Sequence, residues 1–187
     1  MLCVQPESKV TGFSMIEILI SLLIVLTSVM GVAGLVVRVT QQDVEAAQRI
    51  EGLVFLQDMV DRIQANQQVV GCYSNGAAGV VVGTGVDQIP DCNAGTASQA
   101  ARAEADLESW GELLKGSAIR EGGANTGGLI GARGCITEMD AVNGVYRASV
   151  VWQGVGPTVA PSNLCGQNLY GAENLRRVIS AVIRVGS

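Results

Sequence analysis

Gly12-Phe13-Ser14-Met15-Ile16-Glu17, with the apolar run that follows it to Val37, decides how the rest of this chain is read. From Ile18 to Val37 there are twenty residues without a charge, with Glu17 just inside the start and Arg38 closing the end. As a helix rising about 1.5 Å per residue, the run reaches about 30 Å, the thickness of a bilayer core. Glu17 is the residue that needs a reason. A carboxylate at the centre of a membrane helix costs roughly 2.5–3.5 kcal/mol, so ionisable groups in such segments have functional partners by default.

Three readings compete for this stretch. A removable secretory signal has an apolar region of roughly 7–15 residues, a cationic leader and a small-x-small cleavage site. Here the run is longer, Met1–Gly12 carries only Lys9 against Glu7, and no Ala-x-Ala follows. An ordinary single-pass anchor accounts for the length but not for Glu17. In a type IV prepilin the cut falls on the cytoplasmic side of the apolar run, after a glycine, so the run stays on the mature chain.

The order glycine, phenylalanine, three residues, glutamate, long apolar helix resembles the type IV prepilin processing motif. The resemblance implies that residues 1–12 are a leader peptide and that prepilin peptidase cuts between Gly12 and Phe13. Phe13 would become the N-methylated N-terminus, and residues 13–37 a transmembrane and filament-core helix. Glu17 would be the subunit-assembly residue. A carboxylate in hydrocarbon is stable only when paired, and the nearest cation in a fibre is the α-amino group of a neighbouring subunit's Phe13. The competing structural reading has Glu17 reaching the headgroup region of its own membrane.

Composition narrows the function class. Loss of twelve residues from 187 would leave 175, enough for one long helix and a single-core domain of roughly 110–120 residues. The net charge is −5 and aromatics are few, so there is no electrostatic footprint for nucleic acid. The chain has no histidine, which removes His-based triads, His general bases and His–metal sites. There is no GxSxG, P-loop, HExxH or GxGxxG motif; Gly83-Thr84-Gly85 is an isolated match. The acid pairs Glu104/Asp106 and Asp58/Asp61 read as solvated helix faces. Neither an enzyme nor a cofactor site is expected.

Cys3 lies in the leader, and four cysteines remain: Cys72, Cys92, Cys135 and Cys165. An even number in a domain expected outside the cytoplasm reads as two disulfides. Three pairings are possible, and sequential proximity favours Cys72–Cys92 with Cys135–Cys165. A zinc site is the alternative, with neither a C-x-x-C pair nor a histidine to support it.

Beyond Arg38 the chain turns amphipathic. Val39, Ala46, Ile50, Leu53, Leu56, Val60 and Ile63 recur at helical spacing, predicting one helix of about fifty residues from Phe13 to near Gln64. Residues 38–66 would carry it onto a globular domain, residues 67–187, with Gly31, Gly34 and Gly52 as its weak points. Gly71–Gly95 reads as a glycine-rich linker holding a short strand at Gly79–Gly83. Ser98 would cap a helix from Gln99 to about Lys115 with Ala103, Leu107, Trp110 and Leu114 on its core face. Gly116–Gly134, with seven glycines, reads as a long loop with Leu129-Ile130 tucked down. Cys135–Glu138, Val145–Gln153 and Leu175–Val185 carry strand alternation, with Tyr146, Ala148, Val150 and Trp152 on the core side. The fold class is α+β: a long N-terminal helix packed on a small antiparallel sheet.

The segments Ala105-Asp106-Leu107-Glu108-Ser109-Trp110, Val145–Gly154, and Cys165–Gly171 through Arg176-Arg177-Val178 resemble the PilV family of minor pilins, the type IV pilus modification proteins. That family implies a low-copy subunit, first a single-pass inner-membrane protein with a periplasmic domain, then part of a pilus priming or tip complex. Its partners would be prepilin peptidase, other minor pilins, the major pilin, the inner-membrane assembly platform and membrane lipid. The associated functions are pilus assembly, twitching motility, adhesion or DNA uptake. A minor pseudopilin of a type II secretion system shares the N-terminal motif. A membrane-anchored periplasmic binding protein outside any filament is the alternative from another class.

Overall fold

The computed structural model describes residues 12–116, 120–121, 124–125 and 128–186, with backbone alone at 120–121 and 124–125. The leader, with Cys3 but for its last residue Gly12, and parts of the 116–134 segment lie outside the described residues. The chain divides into two compact units, one ending at Gln42 and the other starting at Asp43.

Helix α1 runs unbroken over Met15–Ala65, through Gly31, Gly34 and Gly52. Two short elements follow, α2 (Val70–Ser74) and β1 (Val80–Gly83). The expected 71–95 linker is thus more ordered than its glycines suggest, because Cys72, Tyr73 and Ser74 are buried under the second unit's core. Helix α3 spans Ala97–Leu114. Its cap is Thr96 rather than Ser98. The Thr96 hydroxyl accepts from the Gln99 amide at 3.3 Å while the Gln99 side chain accepts from the Thr96 amide at 2.9 Å, a reciprocal pair that Ser98 could not complete.

After α3, β2 (Arg120–Glu121) and β3 (Ala124–Asn125) form a minimal antiparallel ladder inside the segment expected to be loop. Leu129 is buried, whereas Ile130 faces outward. Strands β4 (Arg133–Asp140), β5 (Val145–Gln153) and β6 (Arg176–Arg184) complete an antiparallel sheet of order β1-β4-β5-β6. The register sets Gly134 opposite Val150, and Val150 opposite Ile179, so these three share a face. That face is the core: Tyr146, Ala148, Val150, Trp152 and Ile136 are buried along it. The fold is α+β, a long N-terminal helix packed through its later part on a small four-stranded antiparallel sheet.

Two close approaches set the packing. On α3, Trp110 lies against Gly134 so tightly that a Cβ there would overlap its six-membered ring. The Trp110 Nε1–H donates to the Phe55 carbonyl of α1 at 2.8 Å. On α1, a Cβ at Gly52 would stand 3.1 Å from Ile179 Cδ1 and from Trp152 Cζ3, so the glycine lets the helix backbone settle on the sheet.

The docking face of α1 differs from the expected apolar stripe. Gly52, Leu56, Met59, Val60 and Ile63 are buried, but Val39, Ile50 and Leu53 are exposed. The helix is rotated because its first docking turns are held by a charged residue, Glu45, rather than by an aliphatic one. Glu45 accepts from the Val155 and Gly156 amides at 2.7 and 3.2 Å.

Candidate functional site

Ser14 opens α1. Its carbonyl accepts from the Glu17 amide at 3.0 Å and the Ile18 amide at 3.3 Å, which places Glu17 in the first turn. The first turn is the positive end of the helix dipole, a position that favours a carboxylate. Four hydroxyls interrupt the apolar segment and its continuation, and each bonds back into the helix: Ser21 to the Glu17 carbonyl, Thr27 to Leu23 and Ile24, Ser28 to Ile24, and Thr40 to Val36. Satisfied in this way, they add little cost in an apolar medium.

The first unit presents its apolar side chains outward all round. Phe13 is 82 % exposed, and Ile16, Leu19, Leu23, Leu26, Met30 and Leu35 are open in the same way. Among the described residues, no side chain hydrogen-bonds or pairs with the Glu17 carboxylate, and Gly12, Phe13 and Glu17 are all exposed. The helix is long and apolar enough to cross a membrane, and it is a single such segment among the described residues. Chemically the site is an exposed apolar cylinder whose one carboxyl group, Glu17 near its end, has no partner among the described residues. An apolar surface of this extent marks contact with lipid or protein. Exposed aliphatic residues continue along α1 in the second unit at Val44, Ile50, Leu53 and Val54.

The four cysteines belong to the second unit. They form Cys72–Cys92 and Cys135–Cys165, with Cα atoms 5.1 and 5.9 Å apart. The first ties α2 to the segment before α3. The second ties β4 to the 154–175 connection, which folds over the sheet face opposite the helices. There Tyr170 is buried with Cys135, Val151 and Cys165, and its hydroxyl donates to the Gly131 carbonyl at 2.7 Å. Arg133 stacks over the Tyr170 ring, 5.5 Å from its centroid.

Sequence reasoning missed the charged residues that hold this unit together. Asp106 is 3 % exposed, which corrects its reading as part of a solvated helix face. Its carboxylate accepts from Tyr73 Oη at 2.7 Å, Arg62 Nη1 at 3.1 Å and Arg102 Nε at 3.1 Å, joining α1, α2 and α3. Asp58 of the other acid pair bonds Arg62 Nε at 2.9 Å. Glu104 accepts from the Cys92 amide at 2.8 Å. Burial and the Asp106 bond push the Tyr73 hydroxyl well above the usual tyrosine value. Arg176, 1 % exposed, donates to the Asn163, Cys165 and Pro161 carbonyls and pairs with Glu173. The Arg176-Arg177 tandem at a strand start was the visible signal for this role. Glu45 offered none.

Among the described residues no group of three or more His, Cys, Asp or Glu is arranged to hold a metal ion. No family model, curated protein or solved structure matches the chain.

Proposed function

We propose that the protein is a minor type IV pilin of the PilV kind, a membrane-anchored structural subunit rather than an enzyme. The observation that carries this reading is the helix beginning at Met15, with apolar side chains exposed all round and, in its first turn, Glu17 without a partner among the described residues. Such a helix is stable only in lipid or among equivalent helices, and a lone acid suits the second situation better than the first. In this reading prepilin peptidase cuts after Gly12 and N-methylates Phe13. Lipid then holds the helix until neighbouring minor and major pilins replace it at the assembly platform. Glu17 pairs with the α-amino group of an adjacent subunit, while the disulfide-bonded domain, on the periplasmic side and later on the pilus, carries partner specificity.

Mass spectrometry of the N-terminus after expression with prepilin peptidase tests processing. The expected chain begins at N-methyl-Phe13, and an intact Met1 or a cut beyond Val37 would sink the proposal. Glu17→Ala tests assembly. The variant should stay in the membrane and fail to enter filaments or associate with other pilins; unchanged association would return the helix to a plain anchor.

A further inference from the structure

The sheet face opposite the helices is only partly covered by the 154–175 connection. Beside that cover lies a groove of about 500 Å³. The strand register gives its floor in two rows: Val81, Cys135 and Ser149 in one, Thr137 and Arg147 in the next. The far wall is the 162–166 segment. It is pinned to the floor by the Cys135–Cys165 disulfide and by Asn163 Nδ2, which donates to Ser149 Oγ at 2.9 Å and Ser180 Oγ at 2.8 Å. At the near end Gly79, with φ of +76°, keeps the floor open: a Cβ there would stand 3.2 Å from Thr137 Cγ2. The groove is therefore rigid on every side that the sheet and the disulfide provide.

Arg147 is the unexplained group in it. Arg133, Arg176 and Arg177 of this sheet are committed, to Tyr170, to Glu173 with three carbonyls, and to Glu45, and Arg184 is exposed at the end of β6, outside the groove lining. Arg147 is half-buried near the start of β5 and forms no ion pair or hydrogen bond with any described residue. A guanidinium fork fixed on a strand and facing a groove matches a carboxylate, which it can bind through two parallel bonds. Exposed aliphatic side chains stand at the groove's margins, Val81 on β1 and Leu164 on the wall.

We infer that this groove binds an acidic segment of a partner protein, seating an Asp or Glu carboxylate on Arg147 and an adjacent aliphatic side chain against Val81 or Leu164. A polyanion such as nucleic acid fits poorly. Its affinity grows with the number of phosphates neutralised, and the groove offers one cation on a chain of net charge −5. The groove lies wholly in the second unit, so the inference stands or falls separately from the reading of the N-terminal helix.

The test is selection of a random heptapeptide phage library on the full-length protein in detergent micelles, followed by affinity measurement on synthetic copies of the selected peptides. Selected sequences should pair Asp or Glu with a neighbouring aliphatic residue. Arg147→Met should weaken their binding roughly ten- to a hundredfold, the range expected for a hydrogen-bonded charge. Arg147→Lys should recover part of it, since the charge remains without the fork. Both variants should keep the wild-type melting temperature, because Arg147 has no hydrogen-bond or ion-pair partner among the described residues. Selection of peptides without acids, no enrichment over empty micelles, or equal binding by Arg147→Met would overturn the inference. So would an oligonucleotide that binds the wild type and not the Met variant, which would reassign the groove to nucleic acid.

Discussion

Glu45 and Arg177, 132 residues apart in sequence, form a two-bond ion pair. Arg177 Nη2 donates to Oε1 at 3.0 Å and Nε donates to Oε2 at 3.1 Å. The same carboxylate accepts the Val155 and Gly156 amides, and Arg177 also donates to the Gly156 and Asn174 carbonyls. One acid on α1 thus holds the start of β6 and both ends of the connection that crosses the outer sheet face.

This pair makes stability depend on pH. Burial alone would raise the Glu45 carboxyl, but the Arg177 bond, the two amides and the Arg177 charge together outweigh it and hold it below the usual 4.5. A carboxyl lowered in the folded state contributes stability above its unfolded value, and the contribution is lost as pH falls through the folded value. Glu45→Gln should cost about 1–3 kcal/mol near neutrality. The difference in melting temperature between wild type and variant should close below about pH 4.5, the unfolded reference. A gap that stays constant into acid would show that the charge is not what holds the loop.

Asp106→Ala should be among the most damaging single changes in the second unit. It leaves the Arg62 guanidinium and the buried Tyr73 hydroxyl without their shared acceptor. Arg62 keeps its bond to Asp58, so the loss is that of buried hydrogen bonds to a charged group, roughly 1.5–3 kcal/mol. Arg102→Ala should cost far less, about 0–1 kcal/mol, since that side chain is 65 % exposed. Urea denaturation of the two variants measures the contrast, and equal losses would contradict it.

Gly134→Ala should be destabilising although it adds one methyl group. The new Cβ would overlap Trp110, whose indole is held by the Phe55 carbonyl and cannot retreat without breaking that bond. Overpacking of this sort costs about 1–3 kcal/mol. Gly71→Ala, where a Cβ meets nothing within 4 Å, should be neutral by comparison. Thermal unfolding with near-ultraviolet circular dichroism reports both the stability and the state of Trp110.

The two disulfides should differ in consequence more than in energy. They close loops of 20 and 30 residues, each worth roughly 3–4 kcal/mol by chain-entropy arguments. Removing Cys135–Cys165 with serines should free the 162–166 wall while α3 stays docked, because Trp110 and Asp106 hold it independently. Hydrogen exchange should rise in 160–170 for that variant and in 72–95 for the Cys72/Cys92 variant. The opposite pattern would mean the outer connection is held by Arg176 and Tyr170 alone.

Much of this protein was legible from local pattern. Twenty uncharged residues are long and apolar enough to cross a membrane as one helix, so the first half of α1 followed from length and hydropathy. Strand β5 was read with its bounds intact, and its core face, Tyr146, Ala148, Val150 and Trp152, followed from alternation, because period-two burial is set by the strand itself. The core face of α3 was visible for the same reason at period 3.6. The sequential cysteine pairs matched short loops.

What the sequence left open was decided by contacts between distant residues. Thr96 rather than Ser98 caps α3 because Gln99 must reach back to it. Ile50 and Leu53 face outward because Glu45 and Gly52, not an aliphatic stripe, set the rotation of α1 on the sheet. Asp106 is buried because Arg62, Arg102 and Tyr73, from three helices, converge on it. Hydrophobic periodicity belongs to a segment and can be counted along the chain. The burial of a charge depends on which partners folding brings to it, and only the tertiary structure assembles them.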